Sequence, residues 1–205
     1  MITEALRVLM ARKILPYKFI SARNREIIPD NISKNTGIYI HIPFCRTICN
    51  FCPYNKIMYN EQLALEYSRA LLDEIRLAKR RYPLLDINSV YIGGGTPALL
   101  KDNLGSILEE IRTLYNFKGD VAIELHPKDC DKDTLSYIKN IGINMISLGL
   151  QSFNDSALKF LCRDYTYQES FLSLNKAKEV GFESIDVDLL FGLDGISVDL
   201  SLIHI

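Results

Sequence analysis

Residues 37–52 read Gly-Ile-Tyr-Ile-His-Ile-Pro-Phe-Cys-Arg-Thr-Ile-Cys-Asn-Phe-Cys. The first six residues, GIYIHI, are β-branched and aromatic, the composition of a strand. Pro43 stops the run, because it has no N–H to give to a sheet. The chain then enters a loop with Cys45, Cys49 and Cys52 at the spacing C-x3-C-x2-C. A strand that delivers three thiols straight into a loop sets the question for the rest of the chain: which further elements surround that loop?

Working outward, short β-rich runs alternate with longer helical patterns. Residues 61–81 carry Leu63, Leu65, Leu71, Leu72, Ile75 and Leu77 among abundant charge, a helical pattern. Residues 89–92 (SVYI) form a second strand, which runs into Gly93-Gly94-Gly95-Thr96-Pro97. Residues 99–115 read as a helix with Ile107, Leu108, Ile111 and Leu114 on one face. Residues 121–125 (VAIEL) are a third strand, ended by His126-Pro127. Asp131 is placed to cap a helix that reaches about Asn140, and Gly142 follows its end. Residues 145–150 (MISLGL) give the fourth strand, Asn154 starts a short helix over 156–162, and a longer helix covers 168–180 before Gly181. Residues 185–191 (IDVDLLF) are the fifth strand.

Five strands, each followed by a helix, predict an α/β fold: a parallel sheet with helices outside it. Right-handed crossovers curl such a sheet into an open or closed barrel, here a partial (β/α) TIM-like barrel ending after about five strands. The glycines at 93–95, Glu124, Gln151 and Asp188 all lie at or just beyond C-terminal strand ends. That is the face on which barrels of this kind build their sites.

The chain has five cysteines, at 45, 49, 52, 130 and 162. An odd number, three of them within eight residues, is a poor disulfide framework and a better metal site. Three thiolates can hold three irons of a [4Fe–4S] cube, leaving the fourth iron without a protein ligand. S-adenosylmethionine (SAM) can chelate that iron through its amino and carboxylate groups. Zinc is the alternative, with His41 as a fourth ligand, but zinc more often takes paired C-x2-C or Cys/His patterns. Cys130 and Cys162 stand alone and read as ordinary semi-buried thiols.

The 24 basic and 25 acidic residues give a net charge of −1, which carries no signature of nucleic acid or a membrane surface. No apolar run reaches the ~18 residues a membrane span needs. Residues 1–17 have Ala5, Leu6, Leu9 and Leu15 at helical spacing with Arg7, Arg12 and Lys13 between them, so residues 1–36 read as a helical extension rather than a secretory signal. The cytoplasm is then the expected compartment.

Taken together, Tyr39-Ile-His-Ile-Pro-Phe-Cys45, Gly93-Gly-Gly-Thr-Pro97, Glu124-Leu-His-Pro127, Ser147-Leu-Gly-Leu-Gln-Ser-Phe-Asn-Asp155 and Asp186-Val-Asp-Leu-Leu-Phe-Gly-Leu193 resemble one subgroup of radical SAM proteins. It is the oxygen-independent coproporphyrinogen III oxidase family, which includes heme-chaperone paralogues. The resemblance implies a radical SAM core over residues 37–199, a [4Fe–4S] cluster on Cys45, Cys49 and Cys52, and reductive cleavage of SAM to a 5′-deoxyadenosyl radical. By the same resemblance Gly94, Gly95 and Thr96 meet the methionyl end of SAM, and Glu124 bonds its amino group or a nearby polar atom. Tyr39 and Phe51 flank the cluster and adenosyl moiety, Gln151, Arg163 and Asp188 bind SAM or a second SAM, and His41 tunes the cluster or relays a proton. Plainer readings stand beside these. The glycines could form only a tight turn, Glu124 and Asp188 could be solvated strand ends, and Arg163 a helix-terminal cation. His41 could be a satisfied half-buried histidine, Tyr39 and Phe51 packing, and Phe153 and Asn154 more simply pack and cap a helix.

The sequence also departs from the family pattern. Decarboxylating members typically carry another cysteine two residues after the third ligand, where this chain has Tyr54. Tyr165 stands at a usual histidine, and Asp194 at a usual proline. Residues 200–205 (LSLIHI) read as the translation of a transposase sequencing adapter, so those six residues are expected to be artificial, the natural protein to continue past 199 with a sixth strand and a further domain, and the chain to be a truncated, inactive piece. The functions implied are oxidative decarboxylation of a porphyrinogen propionate, fed by a reductant such as flavodoxin or ferredoxin. A heme chaperone that binds and transfers heme is the second reading, and a fragment without activity the third.

Overall fold

The computed structural model describes residues 36–190 and 192–193. The chain divides into two units, residues 1–32 and 33–205, and all the described residues lie in the second. The helical extension read over residues 1–36 therefore falls outside the described residues except for its last position, and the adapter-like segment 200–205 lies wholly outside them.

Five parallel strands form the sheet: β1 (Thr36–Ile42), β4 (Ile87–Gly94), β5 (Asp120–Leu125), β6 (Met145–Gln151) and β7 (Ser184–Leu189). They pair in the order β1-β4-β5-β6-β7, each with its predecessor in the sheet. A two-stranded ribbon, β2 (Phe44–Cys45) with β3 (Ile57–Met58), sits between β1 and the first helix. The helices are α1 (Glu61–Arg81), α2 (Lys101–Tyr115), α3 (Lys132–Asn140), α4 (Asp155–Phe160) and α5 (Tyr167–Val180). The result is an open, partial barrel of the βα type.

The helix ends follow local chemistry. Side-chain oxygens of Asn60, Asp131 and Asn154 accept from the backbone N–H groups of Leu63, Thr134 and Ala157, which fixes where α1, α3 and α4 begin. Thr166 and Glu169 form a reciprocal capping box at the start of α5, and Gly181 ends that helix at φ 77°. Asn154 thus caps a helix, the plainer of its two readings.

Alternation along the strands divides the sheet into two chemically different faces. In register across all five strands run Ile40, Ile92, Ile123, Ile146 and Ile185. The first four are no more than 2% exposed and belong to a core shared with Leu104, Ile107, Leu108 and Ile111 of α2 and Leu135 and Ile138 of α3. On the alternate positions lie Tyr39, His41, Tyr91, Glu124, Gln151 and Asp188, none of them buried. The apolar face is covered by helices and the polar face is left for the site. Ile123→Ala, at the middle strand, is expected to cost about 2–5 kcal/mol, read as a fall in the urea midpoint. The same change at Ile185 on the edge strand, only partly buried, is expected to cost less.

Candidate active site

Cys45 is set by main-chain hydrogen bonds on both sides. Its strand, β2, pairs with β3, and Tyr59 N donates to Cys45 O at 2.9 Å. The glycine turn after β4 is joined to the same stretch: Gly95 N donates to Ile42 O and Thr96 N to Phe44 O, each at 2.7 Å. Contact is so close that a β-carbon on Gly95 would stand 2.5 Å from Phe44 O and 2.8 Å from Cys45 Sγ. Burial raises the Cys45 thiol above its ordinary range, while a hydrogen bond with the Thr96 hydroxyl acts the other way.

A cavity of about 530 Å³ opens at the C-terminal ends of the strands. Cys45, Cys49 and Cys52 all border it, together with Phe51, Gly94, Gly95, Thr96, Glu124, Gln151, Arg163 and Asp188. Tyr39 and His41 are the exceptions among the residues to which the resemblance gave a role, since neither lines the cavity, and Tyr39 lies the further out. It is 57% exposed and stacks on Tyr91 with ring centroids 6.0 Å apart.

Glu124 holds the glycine turn in place. One carboxylate oxygen accepts from Gly94 N at 2.9 Å and the other from the Tyr91 hydroxyl at 3.1 Å. Burial and the Glu124 carboxylate push the Tyr91 hydroxyl well above its usual range, so it remains a donor. Each carboxylate oxygen can take a further hydrogen bond, which leaves Glu124 able to receive a ligand's ammonium. His41 works behind the wall. Its Nε2 lies 2.8 Å from Asn55 O, which can only accept, so Nε2 carries the proton and Nδ1 accepts from the Tyr39 hydroxyl at 3.1 Å. This is the half-buried, satisfied histidine of the plainer reading.

On the opposite wall, β6 ends at Gln151, whose φ of 64° is in the left-handed region for a residue with a side chain. Arg163 reaches across from the connection after α4. Its Nη1 donates to Cys49 Sγ at 3.4 Å, Nη2 to Gly149 O at 3.0 Å and Nε to the Tyr165 hydroxyl at 2.8 Å. Tyr165 is buried and turns its hydroxyl to the Gly149 and Leu150 carbonyls, and burial pushes that hydroxyl up to about 12. Asp188 accepts from the Ser147 hydroxyl at 3.2 Å.

Several wall residues were not among the sequence candidates. Tyr91 and His126 are among them, and both fall on the alternation that carries Glu124, so the period of the strands could have found them. Lys128 and Asp164 have no such signal, because only the packing of two βα connections brings them within 2.9 Å. Cys162 is exposed rather than semi-buried, whereas Cys130 is 1% exposed and burial pushes its thiol up to about 12, which leaves it unreactive.

His126 gives the site a pH signature. Burial first, then the charges of Arg163, Arg46 and Lys128, lower its pKa to about 3, against the pull of Asp164. The ring is therefore neutral at neutral pH, with Nδ1 accepting from Lys128 N. Above about pH 6.5 neither the folded nor the unfolded chain carries a proton charge there. Below that the unfolded chain takes up a proton the native one refuses, so stability falls as the pH falls, by up to about 1.4 kcal/mol per pH unit. Burial alone would raise the neighbouring Asp164 carboxyl, but the Lys128 hydrogen bond and nearby positive charge hold it below its usual range, so its contribution is also lost in acid. His126→Gln is expected to flatten the decline between about pH 6.5 and 3, measured as urea midpoints across that range.

The donors fit an iron–sulfur cube. Among the described residues no three His, Cys, Asp or Glu side chains are gathered as ligands of a single ion would be. The three thiols instead border one common space, as a cube requires when each thiolate takes its own iron.

A partial parallel barrel with three thiols and a glycine turn at its C-terminal mouth defines an iron–sulfur, SAM-using protein class. The chain belongs to the Radical SAM superfamily, whose family model matches residues 39–200, and the cofactors of that membership are a [4Fe–4S] cluster and SAM. Similar proteins include the heme chaperone HemW of Bacillus subtilis, 37% identical over 163 residues, covering 77% of this chain and 42% of that protein. The oxygen-independent coproporphyrinogen III oxidase of Escherichia coli is 35% identical over 164 residues, covering 77% and 35% respectively. The solved structure of the Escherichia coli coproporphyrinogen III oxidase HemN, a radical SAM enzyme, superposes with a TM-score of 0.74 at 31% identity, over 82% of this chain and 40% of that one. The chain thus spans less than half the length of these relatives. Among the described residues no helix is long and apolar enough to cross a membrane.

Proposed function

We propose that this chain supplies the SAM-cleaving site of an oxidoreductase that decarboxylates a porphyrinogen propionate side chain. The observation behind this reading is the single cavity bordered by the three thiols, the glycine turn, Glu124 and four cationic side chains, Arg46, Lys56, Lys128 and Arg163. The first three features suit the cofactors, and the cations, each held by a protein partner yet with further N–H donors unused, suit a substrate with several carboxylates.

When bound, the cluster and SAM would supply the one-electron and radical chemistry that removes a hydrogen atom from the substrate, and the electron left when carbon dioxide departs would pass to an external one-electron acceptor. The protein's part is placement. Cys45, Cys49 and Cys52 hold three irons. Gly94 and Gly95 let the backbone come close to the methionyl end of SAM, with Thr96 and Glu124 as polar partners. Gln151, Arg163 and Asp188 are the polar groups for SAM on the far wall. Phe51 excludes water beside the thiols, and Tyr39 steadies Tyr91 from outside the cavity. A low-potential donor such as flavodoxin or ferredoxin provides electrons.

A second reading, a heme-binding chaperone on the same scaffold, is favoured by Tyr54. This residue borders the cavity at the position where decarboxylating members typically carry a further cysteine. Anaerobic reconstitution of the full-length protein with iron, sulfide, SAM and dithionite tests both. 5′-Deoxyadenosine and a divinyl product from coproporphyrinogen III support the decarboxylase. Retained heme with no decarboxylation supports the chaperone, and failure to form any 5′-deoxyadenosine removes the decarboxylase reading.

A further inference from the structure

The loop that carries the three thiols has almost no scaffold of its own. Residues 46–56 lie outside every helix and strand, with a single turn at Asn50–Phe51, and among the described residues no main-chain hydrogen bond of good geometry ties them to the rest of the fold. A segment without that support is shaped by its side-chain contacts. His41 donates to Asn55 O, Lys56 Nζ to Cys52 O at 2.5 Å, Asn50 Nδ2 to Phe160 O at 3.3 Å, and Arg163 to Cys49 Sγ. One contact differs in kind. Arg46 meets Asp129 with two nitrogens on two oxygens, Nη1 to Oδ2 at 3.0 Å and Nη2 to Oδ1 at 2.7 Å.

The setting of that pair makes it more than a surface ion pair. Asp129 closes the 3₁₀ turn Pro127–Asp129 immediately after β5 and is 6% exposed, while the Arg46 side chain is 48% exposed and borders the cavity. A planar fork fixes direction as well as distance, and one partner here is a buried anion on a rigid element. Arg46 is the residue next to Cys45, so fixing its side chain fixes the departure of the loop from β2.

We propose that the Arg46–Asp129 fork is the positioning clamp of the cluster loop, preorganising the three thiols for cluster capture and retention without touching iron. The proposal rests on the cluster reading of Cys45, Cys49 and Cys52. It assigns both residues a positioning role and no part in the chemistry of SAM.

The test compares wild type, Arg46→Lys, Arg46→Gln, Asp129→Asn and the Arg46→Gln/Asp129→Asn double variant. Arg76→Gln, which breaks the 2.7 Å Arg76–Glu110 pair far from the loop, is the control. Each is reconstituted anaerobically, and the readouts are iron and sulfide per chain, the rate of iron loss to a chelator, and the electron paramagnetic resonance signal of the reduced cluster. Circular dichroism of the apo form reports folding. Arg46→Gln and Asp129→Asn are expected to lose iron about tenfold faster than wild type, the scale of one charge-assisted hydrogen bond, with apo folding unchanged. The double variant is expected to be no faster than either single one, since both changes break one contact. Arg46→Lys keeps the charge without the fork and is expected to fall between. Arg46 is half exposed, so Arg46→Gln carries the test alone if Asp129→Asn folds poorly. Wild-type iron retention in Arg46→Gln, or additive losses in the double variant, overturns the clamp. A wild-type chain that takes up no iron and sulfide overturns the cluster reading and the clamp with it.

Discussion

Serine in place of Cys49 is expected to leave a folded chain that cannot keep its cluster. The change exchanges one sulfur for oxygen on a half-buried loop residue, so its cost in folding stability is expected to stay within about 1 kcal/mol. Iron binding responds very differently. The thiolate is a soft ligand that is deprotonated when it holds metal, and a serine hydroxyl at neutral pH is neither soft nor ionised. With two ligands left for a cube that needs three, iron should fall from about four per chain to well under one. SAM cleavage should fall by a factor on the order of 10³ or more. Iron and sulfide analysis, with 5′-deoxyadenosine formation under dithionite, checks this. Cys162→Ser, on an exposed thiol outside the cavity, is the matched control and should keep its iron. An equal loss of iron in both variants would falsify the ligand assignment.

The second large effect is expected at Gly94. Its φ of 119° is a conformation that residues with side chains rarely adopt, and a β-carbon there would stand 2.8 Å from Ile42 O and 2.8 Å from the His41 ring. Gly94→Ala therefore adds backbone strain to overpacking, together about 3 kcal/mol or more. For a chain of this size that is a fall in Tm of roughly 6–12 °C. Function should suffer too, because the Gly94 N–H anchors one Glu124 oxygen. Movement of the turn carries that carboxylate away from the Tyr91 hydroxyl. Calorimetry reads the first effect and equilibrium binding of SAM the second. A variant with wild-type Tm and affinity would show that this turn has slack the geometry denies.

Much of this architecture was legible because strands and helices announce themselves by period. The alternation that buries Ile40, Ile92, Ile123 and Ile146 also puts Glu124, Gln151 and Asp188 on the opposite face, so knowing the strands locates the mouth. Helix α1 was legible over 61–81 from its spaced leucines and Ile75, and the structure adds the Asn60 cap that fixes its start. The β2–β3 ribbon was not, because two residues per strand carry no periodicity. The position of Tyr39 was equally hidden. The motif sets it six residues before Cys45, but β1 lies at one end of the sheet, and the ring stacks on Tyr91 instead of lining the cavity. The side-chain ties of the thiol loop join residues as far apart as Asn50 and Phe160, and no local pattern marks such pairs. Tyr165 illustrates the opposite case. It looked like a departure from the family, yet its hydroxyl meets two carbonyls of β6 and accepts from Arg163. The substitution is thus supported by its surroundings.

Strand order has a consequence for how the molecule is born. Each sheet strand lies beside the one made just before it, so no strand waits for a distant later partner. As the chain leaves the ribosome, every new βα unit can dock on an edge already in place, and the row of isoleucines offers it a ready apolar seat. The sheet can therefore lengthen from one side in step with translation, with the β1 edge and the newest rim as its two open edges at any moment.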